Sequence, residues 1–300
     1  MKFGAIDIGS NAVRLLITNV FETQNGPIFR KSELVRVPVR LGEDVFSQGH
    51  ITELKANKLV DTMHAFKLLL GVHDAVAFRA CATSAMRNAA NSEELVARIA
   101  QVTGIDVEVI HGKTEADIIF SDHVEENLYQ DRSYLYIDVG GGSTELTLFS
   151  DNRPVASRSF RIGTIRLLQD KVEEEYWERL LDWITEHTSG IEKLDGIGSG
   201  GNINKLYKMI AVKEGKPLRF SQLKRMYAKL NAMTYDERVM DLGLNLDRAD
   251  VIIPACEIFL RIMEAANIKD VIVPQFGLSD GITRLLYENY AAKHGQLSPL

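Results

Sequence analysis

Short apolar runs bounded by glycine, aspartate, asparagine or serine recur along the chain at about 2–8, 12–20, 27–37, 76–80, 106–110, 134–139, 144–149, 154–161, 195–198 and 271–274, and read as strands. Between them apolar residues fall at three- and four-residue intervals, which predicts helices over 53–70, 93–103, 114–129, 172–187, 202–212, 221–231, 249–266 and 279–293. Thr52, Ser92 and Ser221 stand as N-caps before three of them. In 172–187, Tyr176, Leu180, Trp183 and Ile184 share one face and acids occupy the other, the pattern of a helix laid on a sheet. Strands interleaved with helices, without a low-complexity tract or long linker, give a mixed α/β chain.

One pattern occurs twice. "AIDIGSNAVRLLITNV" at 5–20 and "YIDVGGGSTELTLFSD" at 136–151 share an apolar strand, an aspartate, an apolar residue, a glycine, a few small polar residues and a second strand. Asp7 matches Asp138 and Gly9 matches Gly140, so the chain reads as two similar halves, each opening on a β-turn-β hairpin. Length agrees, because a single core stops growing near roughly 250–300 residues and this chain has 300.

Composition narrows the function. The formal net charge of −6 excludes a broad nucleic-acid-binding face, so a polyanion would have to be gripped locally. No segment approaches the run of about 18 apolar residues that a membrane span needs. The start "MKF" leads straight into strand sequence with no leader pattern, and two cysteines, Cys81 and Cys256, make no disulfide framework; a cytoplasmic setting is expected. The seven histidines show no metal-ligand spacing.

Three successive glycines exceed what a tight hairpin turn requires. Gly140, Gly141 and Gly142, followed by Ser143 and Thr144, suit a backbone that brings several N–H groups to phosphate oxygens. Acids beside such a cradle would repel the ligand unless a cation lay between. Asp7, Asp138 and Glu145 therefore point to a divalent ion, and Mg²⁺, which keeps its waters and bridges carboxylate to phosphate, fits best.

These residues belong to a longer set: "DIGSN" at 7–11, "ATSAMR" at 82–87, "GKTEA" at 112–116, "DVGGGSTE" at 138–145, "GSGGN" at 198–202, "RAD" at 248–250 and "GLSDG" at 277–281. In this order, and over nearly the whole chain, the set resembles the exopolyphosphatase/guanosine pentaphosphate phosphohydrolase (Ppx/GppA) family, in its short form without the C-terminal His-Asp metal domain. The resemblance implies an α/β fold of two ribonuclease-H-like domains of the actin-like superfamily with an interdomain cleft. The first would span 1–120, with the C-terminal helix at about 280–300 packing back on it, and the second 121–279.

The resemblance also implies roles. Glu115 would be the base that activates water, with Asp138 and Glu145 as catalytic acids that hold the ion, and Asp7 a further ligand. Gly9, Ser10, Asn11, Arg40, Thr83, Ser84, Arg87, Gly140, Gly141, Gly142, Ser143 and Arg248 would bind phosphate. The substrate would be inorganic polyphosphate or guanosine pentaphosphate, the cofactor Mg²⁺ or Mn²⁺, and the assembly a homodimer with no nucleic-acid or membrane partner. Two departures stand out: Ser279 replaces a residue that is often basic, and "EADIIFSDHV" lacks the glycine that often follows the glutamate motif.

Three other readings compete. "CATSAMR" at 81–87 has the C-x5-R spacing of a cysteine phosphatase, but lacks glycines within the loop. A kinase of the same superfamily would use ATP in the same cleft. A sensor would bind polyphosphate or the alarmone without chemistry.

Overall fold

The computed structural model describes residues 1–120, 132–151, 153–213, 215–274 and 277–294. In chain order it begins with strands β1 (Lys2–Ile8), β2 (Val13–Thr23) and β3 (Gly26–Val37), then helices α1 (Leu41–Gln48) and α2 (Glu53–Val72). Next come β4 (Ala77–Ala82), α3 (Ser84–Asn88), α4 (Ser92–Thr103), β5 (Val107–Val109) and α5 (Gly112–Phe120). The second stretch holds β6 (Ser133–Val139), β7 (Thr144–Ser150), β8 (Arg153–Phe160), α6 (Thr164–Leu168), α7 (Glu174–Thr188), β9 (Leu194–Ser199) and α8 (Gly201–Met209). It continues with β10 (Leu218–Arg219), α9 (Phe220–Asn231), α10 (Tyr235–Met240), α11 (Leu246–Ala249), α12 (Ile252–Ala265) and β11 (Asp270–Ile272), and the last helix is α13 (Leu278–Lys293). Two compact units result: Met1–Asp122 with Gly277–Leu300, and His123–Phe276.

Each unit is built on one sheet, and the two sheets repeat one plan. In the first the order is β3-β2-β1-β4-β5; β1, β2 and β3 form an antiparallel meander, and β4 and β5 run parallel to β1. In the second the order is β10-β11-β9-β6-β7-β8, with β6, β7 and β8 antiparallel and β9 and β11 parallel to β6. Thus β6 stands where β1 does, and the duplication seen in the sequence is a duplication of topology.

Both central strands are buried on two faces, which is why they read as continuous apolar runs. In β6, Leu135, Ile137 and Val139 join the core formed with Trp177, Leu180 and Trp183 of α7. Tyr134 and Tyr136 alternate with them and are equally buried. Trp177, not Tyr176, is the buried aromatic at the start of α7.

The short helices α1, α3, α6 and α10 and the two-residue β10 lie below the length at which periodicity shows. The helix expected over 249–266 is α12, Ile252–Ala265, with the short α11 ending just before it at Ala249; Pro254 sits in the first turn of α12, where its missing N–H costs nothing. Ser92 and Ser221 are not caps. Asn91 precedes α4 and its side chain bridges the backbone of Ile51 in both directions, while Arg219 precedes α9. The expected helix over 114–129 begins at Gly112, and its part beyond Phe120 lies outside the described residues.

The last helix returns to the first unit. Tyr287 of α13 meets Phe3 and Phe29 edge-on at 6.1 and 5.6 Å, and Arg284 lies over the Phe29 ring at 4.8 Å. Lys31 of β3 pairs with Asp280 at 2.8 Å. Ser279, the departure from a basic residue, is buried in the first turn of α13. Close packing with α5 rests on Gly281, where an added Cβ would lie 2.1 Å from the Ile118 carbonyl oxygen.

Gly281→Ala sets two effects against each other. Alanine gains about 1 kcal/mol of helix propensity, while overpacking against a rigid backbone costs roughly 1–3 kcal/mol. At 2.1 Å the clash wins. The expected net loss, up to about 2 kcal/mol, lowers the melting temperature by up to roughly 8 °C, measured by circular dichroism; a higher melting temperature contradicts it.

Candidate active site

The first half-site forms where β1 meets β2. Gly9 N–H donates to Ala12 O at 3.1 Å, closing the turn Gly9–Ala12. The carbonyls of that turn are tied back: Ser10 O accepts from Gly42 N–H at 2.8 Å and Asn11 O from Arg40 N–H at 2.9 Å. In a trans peptide each N–H points away from the preceding carbonyl, so the N–H groups of Asn11 and Ala12 turn away from the Arg40–Gly42 segment. Arg40 adopts the left-handed conformation (φ 57°, ψ 46°) at the start of α1, which costs a non-glycine residue roughly 1–2 kcal/mol. Its side chain pairs with Glu43 at 2.5 Å.

Topology adds the end of β4 to this turn. Thr83 N–H donates to Ile8 O at 3.1 Å, which sets Thr83 and Ser84 beside the hairpin, and Arg87 N–H donates to Thr83 O at 3.0 Å. The Arg87 guanidinium donates to Ile110 O at 2.8 Å and to Glu115 at 3.2 Å, with both side chains mostly buried. The structure therefore brings Gly9, Ser10, Asn11, Arg40, Thr83, Ser84, Arg87 and Glu115 to one end of the first sheet. Asp7 is there too, but it pairs in register with Arg14, whose guanidinium donates to its carboxylate at 2.6 Å.

The second half-site repeats the device more fully. Gly140 N–H donates to Ser143 O at 3.0 Å. Gly140 O accepts from Thr164 N–H at 3.0 Å, Gly141 O from Ile165 N–H at 2.8 Å, and Gly142 O from Arg166 Nε at 2.7 Å. Three consecutive carbonyls thus point to α6, and the N–H groups of Gly141, Gly142 and Ser143 point the other way. Such a row of outward N–H groups can hold anionic oxygens. Arg166 is 6% exposed, and burial, with Arg161 nearby, lowers its pKa to about 10 against the opposing effect of Tyr176, so it stays cationic at neutral pH.

Asp138 and Glu145 face each other across β6 and β7 in register, where the first hairpin has Asp7 and Arg14. An acid opposite an acid replaces an acid opposite a cation. Glu145 is 5% exposed, and its Oε1 accepts from Ser143 Oγ at 2.7 Å and from Ser159 Oγ at 2.9 Å. The hydroxyl of Ser143 is thereby committed to Glu145, and its backbone N–H is the group available to a phosphate. Among the described residues no three His, Cys, Asp or Glu side chains form a metal-binding cluster. A carboxylate pair without a third ligand nonetheless suits an ion that keeps most of its waters.

Ser199 lies beside Asp138 in register, and the "GSGGN" segment is the turn from β9 into α8. Arg248 sits half-buried on α11. The sequence reading missed Arg14, Gly42, Gly163, Arg166 and Ser159. Only Gly163 carried a signal, as a lone glycine after a strand.

The cysteine reading fails on chemistry. Burial pushes the Cys81 thiol up to about 12, with Arg79 opposing and Glu108, Asp7 and Glu115 adding to the rise, so almost no thiolate exists at neutral pH. Burial alone does the same to Cys256.

The sequence profile of the Ppx/GppA phosphatase family matches residues 26–288. Exopolyphosphatase 1 of Mycobacterium tuberculosis is 25% identical over 302 aligned residues, covering 94% of this chain and 87% of that protein. The guanosine-5'-triphosphate,3'-diphosphate pyrophosphatase of Photobacterium profundum is 27% identical over 296, covering 93% of this chain but 58% of the relative. The crystal structure of an exopolyphosphatase from Cytophaga hutchinsonii superposes with a TM-score of 0.80 at 26% identity, covering 96% of this chain and 98% of that one. The two sheets with their helices are the two actin-like domains of that fold.

Two outcomes are expected. Gly163→Ala puts a Cβ 2.5 Å from Gly141 O and Gly142 C, so it should displace the cradle and cost roughly 1–3 kcal/mol in denaturant unfolding; wild-type stability contradicts the packing. In the folded protein neither cysteine should react with a chromogenic disulfide reagent at pH 8, and both should react once it is unfolded. Rapid labelling of Cys81 in the native state contradicts its burial.

Proposed function

Because the chain belongs to the Ppx/GppA phosphatase family, we propose that it hydrolyses terminal phosphoanhydride bonds of inorganic polyphosphate, of guanosine pentaphosphate, or of both. Support comes from relatives named for each activity. The observation that carries the reading at the level of atoms is the duplicated turn with its carbonyls tied back, since it leaves outward N–H groups in both hairpins. The kinase and sensor readings are not favoured, because those relatives carry hydrolase names.

Residue roles follow from position. Asn11 and Ala12 N–H, and Gly141, Gly142 and Ser143 N–H, bind phosphoryl oxygens; these donors are preorganised, so they need no rearrangement as charge shifts during transfer. Arg87 has five N–H donors and can hold Glu115 while reaching a phosphoryl oxygen. Glu115 orients the attacking water and takes its proton. The new P–O bond forms in line as the anhydride P–O bond breaks, and the leaving phosphate is the shortened chain.

Asp138 and Glu145 are the pair that would hold Mg²⁺ or Mn²⁺, which offsets negative charge on the phosphoryl oxygens when bound. Asp7 already has Arg14 as its cation, so the proposed ligand pair is Asp138 and Glu145. A cytoplasmic homodimer is proposed on the family resemblance alone; light scattering and cell fractionation test it.

Phosphate release from long-chain polyphosphate, tripolyphosphate, guanosine pentaphosphate and ATP, with and without Mg²⁺, tests the activity and sets the substrate preference. Glu115→Gln should keep polyphosphate binding within a few-fold and lower kcat by about 10²–10⁴-fold. Near-wild-type turnover in a folded Glu115→Gln protein rules it out as base.

A further inference from the structure

Charge is unevenly spread along this chain. The formal net charge is −6, yet residues 201–231 hold eight lysines and arginines against one acid, Glu214. The run lies in the second unit and spans α8, the turn after it, β10 and α9. On α8, Lys205 and Lys208 stand three residues apart, opposite the buried Ile203, Leu206 and Tyr207. The following turn is pinned to that helix: the Tyr207 hydroxyl lies 2.8 Å from Lys213 O and 2.9 Å from Lys216 O, and Lys216 N–H donates to Lys213 O at 3.0 Å. On α9, Lys224, Arg225 and Lys229 face away from the buried Leu223 and Leu230. Apart from the half-buried Lys205 all these cations are exposed, and none forms an ion pair with an acid among the described residues. Elsewhere surface arginines are paired, as Arg79 is with Glu108, Arg98 with Glu53 and Arg179 with Glu175.

The face offers charge and little else. Single-stranded nucleic acid is gripped on aromatic platforms and a membrane surface by inserted apolar groups. Here Tyr207 is buried, Phe220 and Tyr227 are partly buried, and none of the large exposed apolar side chains among the described residues falls within 201–231. Lysine, a flexible point charge without a preferred geometry, suits a chain of bare phosphates. The face also leads away from the second hairpin. Ser199 at the end of β9 is in register with Asp138, α8 starts two residues later, and its nine residues cover about 14 Å. After the turn, Leu218 of β10 pairs with Val271, which pairs with Gly196, three residues back from Ser199. We propose that this basic face docks the body of a long inorganic polyphosphate chain whose end occupies the second hairpin turn. This rests on the proposed hydrolysis of polyphosphate and adds to it a selection for long chains, because tripolyphosphate and guanosine pentaphosphate end before they reach Lys213. Each contact is weak and screened by salt, so the grip comes from their number.

The test uses the full chain, with fluorescein-labelled long-chain polyphosphate as probe, divalent metal withheld, and fluorescence polarisation read over a range of salt. Wild type is compared with two triple variants, Lys208→Gln with Lys213→Gln and Lys216→Gln, and Lys224→Gln with Arg225→Gln and Lys229→Gln, with melting temperatures in parallel. Each triple variant should bind the long chain about 5-fold or more weakly at low salt and flatten the slope of log affinity against log salt by about 2–3. With metal restored, KM for the long chain should rise by a similar factor, while kcat and KM for tripolyphosphate stay within about twofold of wild type. If the folded variants match wild type in long-chain binding while wild type releases phosphate, the docking face is wrong and the hydrolase reading stands. If tripolyphosphate turnover falls as far as long-chain turnover, the substitutions act on the site itself, and the docking face is again wrong. If single-stranded RNA of matched phosphate number binds wild type more tightly than polyphosphate and the variants lose it, the face serves nucleic acid and the proposal is overturned. If wild type hydrolyses guanosine pentaphosphate but neither binds nor hydrolyses the long chain, only the docking face falls; if it binds no long chain and hydrolyses none of these substrates, both readings fall.

Discussion

A planar trans peptide cannot point its carbonyl and the following N–H in the same direction, and the facing of both hairpin turns depends on that constraint. A glycine-rich turn by itself has no preferred binding face. It acquires one when its carbonyls are held, and here each hairpin turn is held by a segment that follows it in sequence: the N–H groups of Arg40 and Gly42 for the first, the N–H groups of Thr164 and Ile165 with the Arg166 side chain for the second. The clamp is tight enough that Gly163 lies against the backbone of Gly141 and Gly142 with no room for a Cβ. The clamp, more than the glycines, sets which way each turn faces.

The same division explains what could be read from sequence. Asp7, Gly9, Asp138 and Gly140 were legible because each hairpin is local: strand, turn and strand lie within about twenty residues, and the two copies could be laid side by side. The main strands were legible because burial on both faces makes them uniformly apolar. The clamping groups were not. Gly42, Gly163 and Arg166 touch their turns from about twenty to thirty residues away, and their helices α1 and α6 are too short to leave a periodic trace. Ser159 was hidden for another reason, since a serine on an exposed edge strand is ordinary and only the register with Glu145 gives it a partner. Glu115 and Arg87 entered through family resemblance, and their ion pair joins the "GKTEA" and "ATSAMR" segments directly.

Duplication leaves two copies free to diverge, and the position opposite the aspartate shows how far this has gone. Arg14 neutralises Asp7 within the protein, so the first hairpin is electrically complete at 2.6 Å. Glu145 opposite Asp138 instead sets two carboxylates in register, with Glu145 buried, an arrangement that is unfavourable between like charges. Two serine hydroxyls reduce that cost at one oxygen without removing the charge. A fold that only needed a stable hairpin had the arginine solution already in hand in its first half. Keeping the acid in the second half, with two hydroxyl donors on one of its oxygens, is the divergence between the copies that led to the proposal of a divalent ion at the second hairpin.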